Sequence, residues 1–219
     1  MKRKLERFKE LLTFDRVFQP EVDSIADKPG LKGKWSDQVF GNDNDIVLEL
    51  GCGRGEYTVG LARKYSDKNF IGIDIKGARL WRGAKTGHEE NILNTAFMRT
   101  KIELLGYFFD ENEVSEIWLT FPDPQPKAIK ENRRLTNMTF LETYIRILKP
   151  NGIFHLKTDN RDLFDYTVQN LNGMKGEFLC KTYDLYKDIK NDDILSIQTT
   201  YEAIFLKQGI SINYLKYRF

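Results

Sequence analysis

The chain has 219 residues, 41% hydrophobic and 30% charged, and 34 cations against 32 acids leave a formal net charge of +2. That composition is globular and too apolar for a disordered chain, and the charge excludes a polybasic protein held to nucleic acid by bulk electrostatics, though not a local basic patch. At ~150 residues per domain, the length predicts one large domain, or one domain with an appendage, that folds without disulfide or metal staples.

The first dozen residues place Leu5, Phe8, Leu11 and Leu12 at helical spacing among Lys2, Arg3, Lys4, Arg7 and Lys9, which predicts a short basic amphipathic helix. It lacks the apolar core of a secretory signal, and no run of about 18 apolar residues predicts a membrane span. Residues 13–45 carry Pro20, Pro29, Gly30, Gly33 and Gly41 without periodicity and read as an irregular arm. From Asp45 the pattern is regular. Strands are expected at 46–50, 70–73, 95–98, 114–121 and 153–157, and helices at 57–65, 77–91, 139–148 and 163–171, with a helical turn near 102–107. Thr139 and Glu142 stand in capping-box spacing. Two more strand-like stretches lie near 178–185 and 197–206. The alternation predicts an α/β fold, a doubly wound and mostly parallel sheet with an antiparallel addition at one edge. Cys52, Cys180, His88 and His155 make no zinc-spaced cluster and no disulfide framework, so no metal and a reducing, cytoplasmic setting are expected.

The strongest local signal is a buried strand that runs into Gly51, Gly53 and Gly55 and then a helix. Glycines there allow a sharp turn and close approach of backbone to a ligand. A dinucleotide fingerprint requires a sixth-position glycine, where this chain has Glu56, and a carboxylate at that helix start repels a pyrophosphate. Glu49 precedes the loop, so two carboxylates surround the turn and suit an ammonium or sulfonium. Asp74 ends the second strand at the spacing of a ribose-binding acid. Together these specify adenosine with a cationic amino-acid tail, S-adenosylmethionine. A tight turn binding nothing has no use for acids at both positions. Cys52, with no histidine nearby in sequence, reads as a small filler.

The second signal is the fourth strand and the segment after it. Asp123 lies just beyond the strand between Pro122, Pro124 and Pro126, whose fixed φ stiffens the loop; ligands of open α/β sheets bind beyond such ends. Lys127, Lys130, Arg133 and Arg134 follow within eight residues, with Glu131 the one acid among them. Further cations sit in the first helix. The tail, 210–219, has Lys216 and Arg218 with Tyr214, Tyr217 and Phe219 interleaved. Each run alone reads as a solvated face, but three of them in a nearly neutral chain favour RNA contact and base stacking.

These residues resemble the bacterial tRNA (guanine-N7-)-methyltransferases over roughly residues 35–210. The likeness rests on Leu48-Glu-Leu-Gly-Cys-Gly-Arg-Gly55, Ile71-Gly-Ile-Asp74, Phe121-Pro-Asp-Pro124 with Lys127 and Arg133-Arg134-Leu135, Lys157-Thr-Asp159, and Thr199-Thr-Tyr-Glu202 with Gly209. It implies a Rossmann-like seven-stranded sheet with an antiparallel last strand, in a methyltransferase domain over 45–219 preceded by the helix and arm of 1–44. It implies that Glu49, Asp74, Asp123 and Thr100 serve the cofactor, with Asp123 where cofactor and substrate meet. By the same likeness Lys127, Asp159, Thr199, Thr200, Tyr201 and Glu202 bind substrate, and Lys130, Arg133 and Arg134 belong to an RNA-contacting loop. The implied product is 7-methylguanosine in the variable loop of tRNA, position 46, made by a cytoplasmic monomer or homodimer. Gln125 stands where the family usually has tryptophan, and Thr100 where an acid is common. A small-molecule or protein methyltransferase, and a non-catalytic RNA-binding module, are the competing readings. The basic loop argues against the first, and the intact glycines with Glu49 and Asp74 against the second.

Overall fold

A computed structural model describes residues 2–20 and 30–219, with the side chains of the first two of these left aside; Pro29 of the expected arm lies outside the described residues. One sheet holds eight strands in the order β1-β4-β3-β2-β5-β6-β8-β7. They are β1 (Val17–Phe18), β2 (Asp45–Leu50), β3 (Lys68–Ile73), β4 (Thr95–Met98), β5 (Val114–Thr120), β6 (Leu148–Thr158), β7 (Glu177–Thr182) and β8 (Asn213–Arg218). β1 to β6 pair in parallel, whereas β8 runs antiparallel to both its neighbours, β6 and β7. The helices are α1 (Lys2–Leu11), α2 (Glu56–Lys64), α3 (Gly77–Glu89), α4 (Leu105–Phe108), α5 (Met138–Ile147), α6 (Arg161–Asn172), α7 (Leu185–Asp188) and α8 (Thr200–Lys207).

The central strands are apolar throughout because helices cover both faces. Ile46, Leu48, Ile71, Ile117 and Leu156 are buried against Tyr144, Phe164 and Leu171 of α5 and α6. Val47, Phe70 and Trp118 are buried against Tyr57 and Leu61 of α2 and Leu185 of α7. Leu11 of α1 meets Leu80 and Ala84 of α3 in a third cluster.

Four expectations change. The sheet has eight strands because Val17 and Phe18, expected in the irregular arm, pair with Phe97 and Met98. The arm is anchored further by Trp35, which is fully buried, stacks on Phe109 at 5.3 Å and donates from Nε1 to the Phe108 carbonyl at 2.9 Å. The apolar stretch expected as a strand at 197–206 is instead helix α8 over Thr200–Lys207. Its start is set by Thr199 and Glu202, a capping box in which each side chain meets the other's backbone N–H. The box expected at Thr139 is absent from α5, which Asn137 caps by accepting from the Phe140 N–H. Finally, the tail is not a basic surface. Tyr214 and Tyr217 are 3% and 1% exposed in β8, and Arg218 pairs with Glu177 on the neighbouring strand, so these aromatics form core and do not stack on bases.

Candidate functional site

β2 delivers the chain into a loop, 51–55, in which Gly51 and Cys52 both donate their N–H groups to the Ile73 carbonyl, at 2.8 and 3.0 Å. The turn needs glycine twice, for different reasons. Gly51 has φ +73°, and a Cβ there meets no protein atom within 4 Å, so the residue faces open space. Gly55 has φ +67°, and a Cβ there would lie 2.6 Å from the Phe97 ring and 3.1 Å from the Gly83 backbone, so it serves helix packing. Asp74 follows β3 almost buried and accepts from the Gly53 N–H at 2.9 Å and the Lys76 N–H at 2.7 Å. Two backbone donors hold its carboxylate, and each oxygen keeps a lone pair for a ligand.

Two cavities meet at Gly51 and Asp74. The larger, of about 650 Å³, is also lined by Gly53, Glu56, Phe121, Thr199, Thr200 and Tyr201. The smaller, of about 260 Å³, is lined further by Ile75, Thr100, Ile102 and Leu135. A polar compartment continuous with a smaller, more apolar one suits a ligand that carries charge at one end and an aromatic base at the other.

Glu49 lies beneath the loop and lines neither cavity. Its carboxylate is 3% exposed. Oε2 accepts from the Thr58 N–H at 2.8 Å and from the Thr58 hydroxyl, and Oε1 accepts from the Thr120 hydroxyl at 2.7 Å. Burial raises its pKa to about 7, although the threonine hydrogen bonds pull the other way. Because the folded state holds this proton more tightly than the unfolded chain, the contribution to stability is full below pH 4.5 and is lost as pH rises through about 7. Denaturation of the free protein at pH 5 and 7.5 is expected to show a loss of about 2 kcal/mol that Glu49→Gln does not show. Equal slopes in the two proteins would place the ionisation elsewhere.

Beyond β5 the backbone is strained. Phe121 and Gln125 adopt φ +54° and +45°, a region that side chains rarely occupy without compensation. Here the Phe121 N–H donates to the Lys157 carbonyl at 2.8 Å, and its ring meets Phe205 at 5.8 Å. Asp123 lies exposed between these two residues, and its Oδ1 accepts from the Gln125 N–H at 3.1 Å. Lys127, Lys130 and Arg133 are exposed. Arg134 is not free in the same way. It donates from Nε to the Gln125 carbonyl at 3.3 Å and lies over the Tyr166 ring at 4.5 Å. Through Nε it fastens the basic turn, Ala128–Arg133, to the Asp123 loop.

The start of α8 forms the opposite wall. Thr199 caps it. Thr200 donates its N–H to Glu56 at 2.8 Å and its hydroxyl to the same carboxylate. Tyr201 is 47% exposed. Glu202, expected at the substrate, is fully buried and paired with the equally buried Lys157 at 2.6 Å. It also accepts from the Tyr186 hydroxyl at 2.8 Å. A carboxylate enclosed in this way cannot reach a base, so Glu202 positions Thr199 and Thr200. Asp159, just past β6, is half-buried, and burial raises its carboxyl pKa.

The structure therefore brings Gly51, Gly53, Asp74, Thr199, Thr200 and Tyr201 around one cavity and Thr100 into the next. Asp123, Asp159 and Lys127 line neither. Sequence reasoning named Lys157 only as part of a motif and gave it no role, although a lysine inside an apolar strand was the signal. It counted Arg7 only among the cations of the first helix and gave no role to Arg54, Arg79 and Arg82; all four line the larger cavity and belong to three elements with no common motif. Among the described residues no group of His, Cys, Asp and Glu is gathered to hold a metal ion, and no helix is long and apolar enough to cross a membrane.

A parallel sheet with this glycine loop, and an acid ending the next strand beside it, defines a class I methyltransferase. The family model described as "Putative methyltransferase" matches residues 43–215. The 16S rRNA methyltransferase KamB superposes with a TM-score of 0.63, covering 83% of this chain and 91% of its own at 12% identity, a likeness of fold. The tRNA (guanine-N7-)-methyltransferase of Christiangramia forsetii is 53% identical over 99% of this chain and 98% of its own. That of Bacteroides thetaiotaomicron is 50% identical over 99% and 86%. The chain belongs to the tRNA (guanine-N7-)-methyltransferase family.

Proposed function

We propose that the protein transfers the methyl group of S-adenosylmethionine to N7 of the variable-loop guanine, position 46, of tRNA, forming 7-methylguanosine in the cytoplasm. The observation that carries this reading is the pair of cavities joined at Gly51 and Asp74, the larger lined by Phe121 at the start of the Asp123 loop and the smaller by Leu135 after the basic turn. Family membership supports the same activity. S-adenosylmethionine, when bound, supplies a methyl group on a sulfonium, which a nucleophile displaces directly.

The residues fit that cofactor. Thr100, Ile102 and Leu135 offer the apolar walls and polar edge that an adenine needs. Asp74 accepts from the ribose hydroxyls, and the open face of Gly51 leaves room beside it. Glu49, below the loop, favours a cationic tail once it is ionised. Asp74→Ala is expected to weaken cofactor binding by about 1–3 kcal/mol in calorimetry; unchanged affinity would remove its role at the ribose.

Guanine N7 is unprotonated at neutral pH, so no residue has to act as a base. The chain's task is to align the guanine and to face its growing positive charge with carboxylates. Asp123 and Asp159 are the available ones, since Glu202 is held by Lys157. Lys127, Lys130 and Arg133 stand exposed beside them for phosphates. Incubation with unmodified tRNA and labelled cofactor, followed by nucleoside analysis, tests the reading. Label in 7-methylguanosine of the variable loop is expected, and label in any other nucleoside or none would overturn it.

A further inference from the structure

Resting on the tRNA reading above, we infer that Arg7, Arg54, Arg79 and Arg82 form a second phosphate-binding surface for tRNA, separate from the basic turn after Asp123. The four arginines come from α1, the glycine loop and α3, and they line the same cavity of about 650 Å³. Arg54, Arg79 and Arg82 are exposed and Arg7 is half-buried. Among the described residues none of them is ion-paired. Arg7 lies over the Trp81 ring at 4.7 Å and donates to the Ala78 carbonyl at 3.4 Å. Arg79 lies 5.9 Å from the centre of the Tyr201 ring. Arg54 makes one long contact, 3.5 Å, to the Thr200 hydroxyl.

Two acids line that cavity, and both are engaged. Glu56 accepts from Thr200, and Asp74 from two backbone N–H groups. Glu10, nearby on α1, is held by Trp81 and Lys85. The rim therefore keeps an excess of guanidinium charge. Four like charges at one mouth repel one another, and the fold gains nothing by gathering them unless anions arrive.

The charge also extends past the cavity. Arg54 and Arg82 line a neighbouring groove of about 340 Å³ that runs along α2 and α3 to Arg63 and Glu90. One cofactor carboxylate can meet one guanidinium, but not a series that leaves the cavity and continues down a groove. A polyanion with evenly spaced phosphodiesters matches that extent, and guanidinium forks suit phosphate oxygens. Tyr201, exposed beside Arg79, adds a ring on which an unstacked base can lie. The tRNA then spans the cleft, held by the basic turn on one side and this rim on the other, with the target guanine between.

The test is the double variant Arg79→Glu, Arg82→Glu, with Arg79→Lys, Arg82→Lys as the charge-preserving control, in the full-length protein. Filter binding of unmodified tRNA at several salt concentrations is read beside calorimetry of S-adenosylmethionine, with thermal unfolding to verify the fold. The glutamate variant is expected to lose at least tenfold in tRNA affinity and about two units of salt slope. Its cofactor affinity should stay within twofold, and the lysine control should retain most of the tRNA binding. Wild-type tRNA affinity in the glutamate variant would overturn the inference. So would a fall in cofactor affinity in the folded variant, which would assign the rim to the cofactor. Failure of the wild-type protein to form 7-methylguanosine under the same conditions would instead overturn the functional reading, whatever the variants do.

Discussion

Asp123→Ala is expected to lower turnover by a factor of about a hundred or more, measured in single turnover with tRNA well above its dissociation constant. Asp123 is exposed on a loop whose shape is over-determined. Prolines flank it, Phe121 and Gln125 hold left-handed backbone on either side, and Arg134 ties the Gln125 carbonyl to the basic turn. Such a loop holds one carboxylate in one place, two residues past Phe121 on the wall of the larger cavity. Cofactor affinity should fall less than turnover, because Asp74 and the glycine loop remain. Asp123→Asn separates charge from position. Loss in both variants assigns the effect to negative charge on the developing guanine cation, and loss in the alanine variant alone assigns it to orientation. Near-wild-type rates in both would make Asp123 a turn residue and remove the centre of the mechanism.

Lys157→Ala is expected to destabilise the protein by about 3–5 kcal/mol in urea denaturation, since it leaves the enclosed Glu202 without its counter-ion. Lys157 is fully buried. It pairs with Glu202 at 2.6 Å, donates to the Leu195 carbonyl at 3.1 Å and lies over the Tyr57 ring at 5.3 Å. Burial lowers its pKa, and Glu202 opposes that shift. Replacing both partners by apolar residues, Lys157→Met with Glu202→Leu, should recover most of the stability. It should not recover methyl transfer, because the capping box that fixes Thr199 and Thr200 is gone. A loss below about 1 kcal/mol in Lys157→Ala would mean that water reaches Glu202.

The order of strands and helices from 45 to 171 was legible because each element there is either buried on both faces or strongly periodic, and each ends at a turn residue. The glycine loop and Asp74 were legible because a tight turn and a strand-end acid carry their meaning in adjacent positions. After Asn172 the reading weakened. Ile204, Phe205 and Leu206 form an apolar run that looks like a strand, and the signal that makes it a helix is the four-residue cap before it, Thr199 to Glu202, read there only for its substrate chemistry. Tyr214 and Tyr217 alternate with charged residues as a surface stripe would, yet β8 lies between two strands. Whether an edge or an interior position awaits a strand is decided by pairing far away in sequence, here with His155, Lys157 and Thr182. The same limit explains Glu202. A carboxylate in a motif carries no mark of whether it faces the ligand or a buried lysine 45 residues earlier.

The grip of Glu56 on Thr200 has a thermodynamic consequence. Glu56 opens α2 directly after the glycine loop, and Thr200 opens α8, so one carboxylate ties two helix starts together on the wall of the larger cavity. An event that shifts either helix start works against the same pair of hydrogen bonds. On the proposed reading, cofactor and tRNA both press on this pair, and it couples them. Coupling of this kind is reciprocal, so the factor by which the first ligand tightens the second equals the factor by which the second tightens the first. Whichever arrives first, the ternary assembly gains the same free energy, and a cell rich in one ligand holds the protein poised for the other.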